Sequence, residues 1–107
     1  MKNTDKTPAH LSRTAKAWWK KLNAEWVLDD AGRLILQSGL EAFDRMVEAQ
    51  AIISEHGLVK PDRFGQLKTN PAVLVERDCR AGMLSAFRQL HLDLEPLNDK
   101  PGRPAGK

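Results

Sequence analysis

Apolar residues along this chain recur at helical spacing in three stretches, separated by polar punctuation. The first begins at Ser12, a good N-cap residue, after which Ala15, Trp18, Trp19, Leu22 and Trp26 repeat on one side while Arg13, Lys16 and Lys20 fall on another. The spacing predicts a helix of about 15 residues. Asp29 or Asp30 can cap a second helix, which runs without proline to Glu55, where His56-Gly57 reads as a C-terminal stop. This long central helix carries two apolar stripes, Leu36, Leu40, Phe43 and Val47 on one, and Ile35, Gly39, Met46, Ala49 and Ile53 on the other. Glu41, Asp44, Arg45, Glu48 and Glu55 make its polar strip. Two stripes on one helix predict that it packs on its own domain through one and on a second subunit through the other.

Residues 57 to 70 hold Gly57, Pro61, Gly65 and the Asn70-Pro71 junction, which marks a loop with room for a short hairpin around Phe64-Gly65. Asn70 as N-cap with Pro71 in the first turn starts a third helix, whose expected buried stripe is Ala72, Val75, Cys79, Met83, Ala86 and Leu90. Val73, Leu74, Leu84 and Phe87 broaden it. Arg77, Arg80 and Arg88 lie off that stripe, as a solvated face or as partners for the acidic second helix. From Glu95 onward apolar periodicity ends among prolines, glycines and charges, so residues 95–107 are expected to form a disordered tail. Residues 1–10 are expected to be a flexible arm and 11–94 the folded, helical unit. The fold class expected is therefore all-α: three main helices, the central one long, with a short loop or hairpin between the second and third.

With 107 residues the chain fits one domain with about 85 residues available for a core. A core that small, with apolar residues on more than one helix face, gains from oligomerisation, so a multimer is expected. The three tryptophans of the first helix would ordinarily anchor a fold or an interface; base stacking is their less common use. The N-terminal residues show no apolar leader and no apolar run reaches the ~20 residues of a membrane span, so the protein is expected to be neither secreted nor membrane-inserted. Cys79, the only cysteine, falls in an apolar stripe and is expected as a reduced, buried thiol.

Charge changes the picture more than composition does. The net +3 conceals six basic and two acidic groups over residues 1–28, two and six over 29–56, six and three over 57–91, and three of each beyond. Basic segments flank an acidic one, a layout that serves polyanion binding and pairing between helices or subunits equally well. Chemistry is otherwise sparse. No phosphate-binding glycine loop and no metal-ligand spacing stands out, and His10, His56 and His91 are far apart and placed near helix ends. No catalytic residue, cofactor or metal is expected, and the protein is read as a binding protein and not an enzyme. In the tail, Gly102-Arg103-Pro104 is similar to the extended motif that lays an arginine in a narrow minor groove, although a plain linker explains it as well.

Several of these landmarks form an ordered set: Pro8-Ala9-His10-Leu11-Ser12, Ala15, Trp18-Trp19, Gly57-Leu58-Val59, Lys68-Thr69-Asn70-Pro71-Ala72, and Leu94-Glu95-Pro96 at the end. In that order and at those intervals the chain resembles the small-subunit terminase family of tailed bacteriophages. It departs from the family where Asp93 stands before Leu94, a position often held by glycine, and where Asn98 to Lys100 follow Pro96 in place of an early arginine. The resemblance implies a ring-forming, non-enzymatic homo-oligomer in the cytoplasm of a bacterial host, which recognises viral double-stranded DNA and presents it to the terminase large subunit that holds the ATPase and nuclease. On that reading Arg13, Lys16, Lys20 and Lys21 of the first helix and Lys60, Arg63 and Lys68 of the loop are the expected phosphate contacts. Trp18, Trp19, Ile35, Leu36, Leu40, Phe43, Met46 and Val47 are the expected oligomer interface. The rival expectation is a helical adaptor that assembles and stimulates the motor partner while DNA contacts belong mainly to that partner.

Overall fold

The computed structural model describes residues 6–92. The expectations for the first residues of the arm and for the tail, including its Gly-Arg-Pro motif, lie outside them. Three helices, α1 (Arg13–Glu25), α2 (Asp30–His56) and α3 (Pro71–Gln89), are joined by a short α1–α2 link and by a hairpin of β1 (Val59–Pro61) and β2 (Leu67–Thr69).

Each helix starts where a side chain takes over an orphan backbone donor. Ser12 accepts from Ala15 N, Asp29 from Gly32 N, and Asn70 from Ala72 N with Pro71 following it. At the other end of α2, Gly57 adopts φ 87°, a backbone conformation natural to glycine, and its N–H closes on Ile53 O. Asn70 is buried and fully used. Its amide donates to Gly57 O at 2.9 Å, its backbone N–H donates to Leu58 O at 2.8 Å, and its side-chain oxygen caps α3. One residue thus ties the end of α2 to the start of α3.

Both neighbours run antiparallel to α2. Ser12 meets Asp44 and Asn23 meets Arg33, which sets α1 along the first half of α2. Gln50 meets Glu76, and a side chain at Gly39 would meet Ala86 and Phe87, which sets α3 along the second half with an overlap near the middle. The core lies at that overlap. Leu11, Ala15, Trp19 and Leu22 close on the fully buried Leu36 and Leu40, with Phe43, Phe87, Leu90 and Leu92 packed around them. Burying each leucine contributes about 1.5–3 kcal/mol. Beyond the start of α1 at Asp44, the α2–α3 pair continues as two helices and the hairpin, with no third layer among the described residues.

Most of both α2 stripes is therefore covered inside the protomer, Leu36 and Leu40 by α1 and the Gly39–Met46–Ala49 stripe by α3, with Val47 of the first left exposed. This corrects the expected interface: Trp19, Leu36, Leu40 and Met46 retain 3, 0, 1 and 9% of their surface and have nothing to offer a partner. Trp18, Phe43 and Val47 remain accessible, and Ile35 is half-buried.

The polar strip also needs correcting. Asp44 is buried and accepts hydrogen bonds from Ser12 N at 2.9 Å and Ser12 Oγ at 2.5 Å, so it holds the start of α1 against α2. On α3 the buried position expected for Val75 belongs to Glu76, with Val75 46% exposed, and Cys79 is only half-buried. Glu76 tolerates this place because Gln50 Nε2 donates to it at 3.1 Å and Arg80 pairs with it. Arg80 and Arg77 thus find carboxylates on their own helix, Glu76 and Asp78, and not on α2.

Candidate nucleic-acid interface

On α1 the residues facing the core leave a definite opposite side. At 100° per residue, Arg13, Lys16 and Lys20 fall within an arc of about 60°, turned away from Ala15, Trp19 and Leu22, and span about 10 Å of helix. Arg13 and Lys20 are exposed and Lys16 is half-buried. None of the three has an ion-pair partner among the described residues. Lys21, one step round the helix, pairs with Glu25 at 2.8 Å.

The hairpin carries the second basic group. Its loop follows from Asp62 and Gly65: the Asp62 carboxylate accepts from Phe64 N and Gln66 N, Gly65 N donates to Asp62 O, and Gly65 takes φ 79°. Lys60 and Lys68 stand directly opposite each other across the strands. Lys68 reaches Asp62 at 3.8 Å, a weak contact, and the Arg63 guanidinium lies 5.7 Å from the Phe64 ring centre.

The fold keeps these two groups apart. Lys20 lies abreast of about the second turn of α2, and the hairpin begins after its last turn, a separation of about 30 Å along the helix. Arg13, Lys16 and Lys20 form one surface; Lys60, Arg63 and Lys68 form another at the far end of the rod.

No protein-family model, curated protein or solved structure matches this chain. What the site can do is therefore read from its own chemistry. Two carboxyls away from both basic groups are shifted in acidity, Glu41 on α2 and Glu76 on α3. Glu41 is held below the usual carboxylate range by hydrogen bonds from Gln37 and His10, and Glu76 by those from Gln50 and Arg80. His10 Nε2 sits 2.6 Å from Glu41, so the last residues of the expected N-terminal arm are fastened to α2.

Apolar surface is left over as well. Trp18, Leu22, Leu40, Phe43, Met83, Phe87 and Leu92 line a depression of about 260 Å³ where the three helices meet, and Trp18 is 43% exposed at its rim. Val47, Ile52, Leu74 and Val75 stay exposed on the two-helix portion, and Leu84 further along α3. The sequence reading missed Asp44, whose link to Ser12 spans 32 positions, and Phe64, at 79% the most exposed aromatic side chain among the described residues. Phe64 had a signal: an aromatic between Asp62 and Gly65 in a tight turn has no core within reach.

Proposed function

We propose that this protein is a terminase small subunit, a non-enzymatic homo-oligomer that recognises viral double-stranded DNA and presents it to the large-subunit ATPase and nuclease during genome packaging. The observation that carries the reading is the α1 face of Arg13, Lys16 and Lys20, free of carboxylate partners among the described residues and turned away from the buried side. Guanidinium and ammonium groups displayed this way bind phosphates without reading bases, so they position the protein on DNA and do not specify the sequence.

Assembly supplies what one protomer lacks. Three cations per subunit bind a duplex weakly, whereas a closed ring presents many such faces and gains from avidity. Trp18, Phe43 and Val47, with the exposed apolar residues of the two-helix portion, are the surface proposed to meet the next subunit. Of the ordered landmarks that resemble the family, those among the described residues occupy the junctions of the fold: the cap of α1, the buried Trp19, the end of α2 and the Asn70-Pro71 start of α3.

The test is charge reversal of Arg13, Lys16 and Lys20 to glutamate, with oligomeric mass and duplex binding followed together. Loss of DNA binding with unchanged mass is the expected result. Unchanged DNA binding would transfer the DNA contact to the large subunit and leave this protein an adaptor.

A further inference from the structure

The hairpin tip is built to display an aromatic ring, and nothing in the α1 reading uses it. Asp62 fixes the turn through its two backbone acceptances, Gly65 supplies the left-handed residue that closes it, and the outcome is Phe64 held out at 79% exposure. A phenyl ring so exposed gains nothing for the fold. Behind it stand Lys60 and Lys68, directly opposed across the strands, an arrangement that costs stability through like-charge repulsion. Asp62, the acidic residue of the hairpin, spends its carboxylate on the turn and only grazes Lys68 at 3.8 Å. With Arg63 beside the ring, the tip joins one exposed aromatic to three cations.

Resting on the reading that the protein binds DNA, we propose that this hairpin is a second, base-contacting site: Phe64 inserts as a wedge against the stacked bases of a duplex while Lys60, Lys68 and Arg63 hold the flanking phosphates. Charge decides in favour of a nucleic acid over an apolar protein surface. An apolar protein partner would desolvate two opposed lysines with no anion to receive them, whereas a phosphodiester backbone relieves their repulsion. A two-stranded ribbon is slim enough to enter a DNA groove, and a phenylalanine at its end can part a base step and bend the helix. The separation from the α1 face, about 20 Å at Arg13 and about 30 Å at Lys20, lets both sites engage one duplex at different places along it. The α1 face then supplies affinity, and the hairpin supplies sensitivity to how readily a base step opens.

The experiment measures binding of the full-length protein to a duplex of about 30 base pairs and to the same duplex carrying one unpaired base, across a salt series. The unpaired base offers a step already partly open, so wild type should prefer it by at least threefold. Phe64→Ala should weaken binding to the plain duplex about tenfold, erase the preference and leave the salt slope unchanged, while Phe64→Trp should retain both affinity and preference. Lys60→Gln with Lys68→Gln should instead flatten the salt slope, by about 0.9 for each lysine engaged. If wild type binds DNA but Phe64→Ala matches it on both duplexes, the wedge is overturned and the α1 reading stands. A change in oligomeric mass in place of DNA affinity overturns it too, assigning the tip to a subunit contact. If wild type binds neither duplex, both readings fall together.

Discussion

Removing the Asp44 carboxylate should destabilise the protein through a residue 32 positions away. Asp44 is 9% exposed and receives Ser12 N at 2.9 Å and Ser12 Oγ at 2.5 Å, while the same Ser12 Oγ accepts Ala15 N at 3.1 Å. A hydrogen bond to a charged acceptor contributes about 1.5–3 kcal/mol, and the two share one carboxylate, so Asp44→Ala should cost about 2–4 kcal/mol rather than their full sum. Ser12→Ala removes the cap, about 1 kcal/mol, and also leaves the Asp44 carboxylate short of a donor. The two positions are therefore coupled: the double variant should be less destabilised than the sum of the singles by about 1–2 kcal/mol. Urea unfolding followed by tryptophan fluorescence, at one fixed protein concentration so that assembly contributes equally, measures all four proteins. An Asp44→Ala cost below about 0.5 kcal/mol, or a strictly additive cycle, would refute the claim that this pair fastens α1 to α2.

Other perturbations test different joints. Gly39→Val should lower stability by about 2 kcal/mol or more in thermal melts, because even a Cβ there lies 3.0 Å from Ala86 Cβ and 3.0 Å from Phe87 Cε1. His91 takes φ 59° just after α3, where Leu92 N bonds Phe87 O and His91 N bonds Arg88 O, the place a helix-terminating glycine ordinarily fills. His91→Gly should accordingly raise stability, by about 0.5–1 kcal/mol in the same assay. Gln50 and Arg80 depress the Glu76 carboxyl below its ordinary 4.5, so the folded state binds its proton less readily than the unfolded chain. That contribution is complete above about pH 4.5 and is lost as pH falls through the lowered value, so stability measured from pH 6 to 3 should decline less steeply in Glu76→Gln.

Local chemistry made much of the fold legible in advance. Ser12, Asp29 and Asn70-Pro71 cap helices through atoms within three residues, and the Asp62-to-Gly65 turn is equally short-range, so the helices and the hairpin followed from pattern alone. Longer-range choices did not. Ala72-Val75-Cys79 and Ala72-Glu76-Cys79 are equally good helical stripes, and what selects Glu76 is Gln50, 26 positions earlier. Periodicity likewise put Asp44 among solvated carboxylates because its donors lie on another helix. The two α2 stripes were read as one for the fold and one for a partner, yet α3 returns along α2 and covers the second. For the candidate site, residue type identified the cations, but only the antiparallel layout divides them into an α1 face and a hairpin about 20–30 Å apart.

The central claim is that an assembly of this chain holds duplex DNA through phosphate contacts. Light scattering on the purified protein, alone and with duplex DNA from about 50 to 200 mM salt, tests it most directly. A defined oligomer that binds DNA and releases it steeply as salt rises is the expected result; a monomer indifferent to DNA at every salt concentration would contradict it.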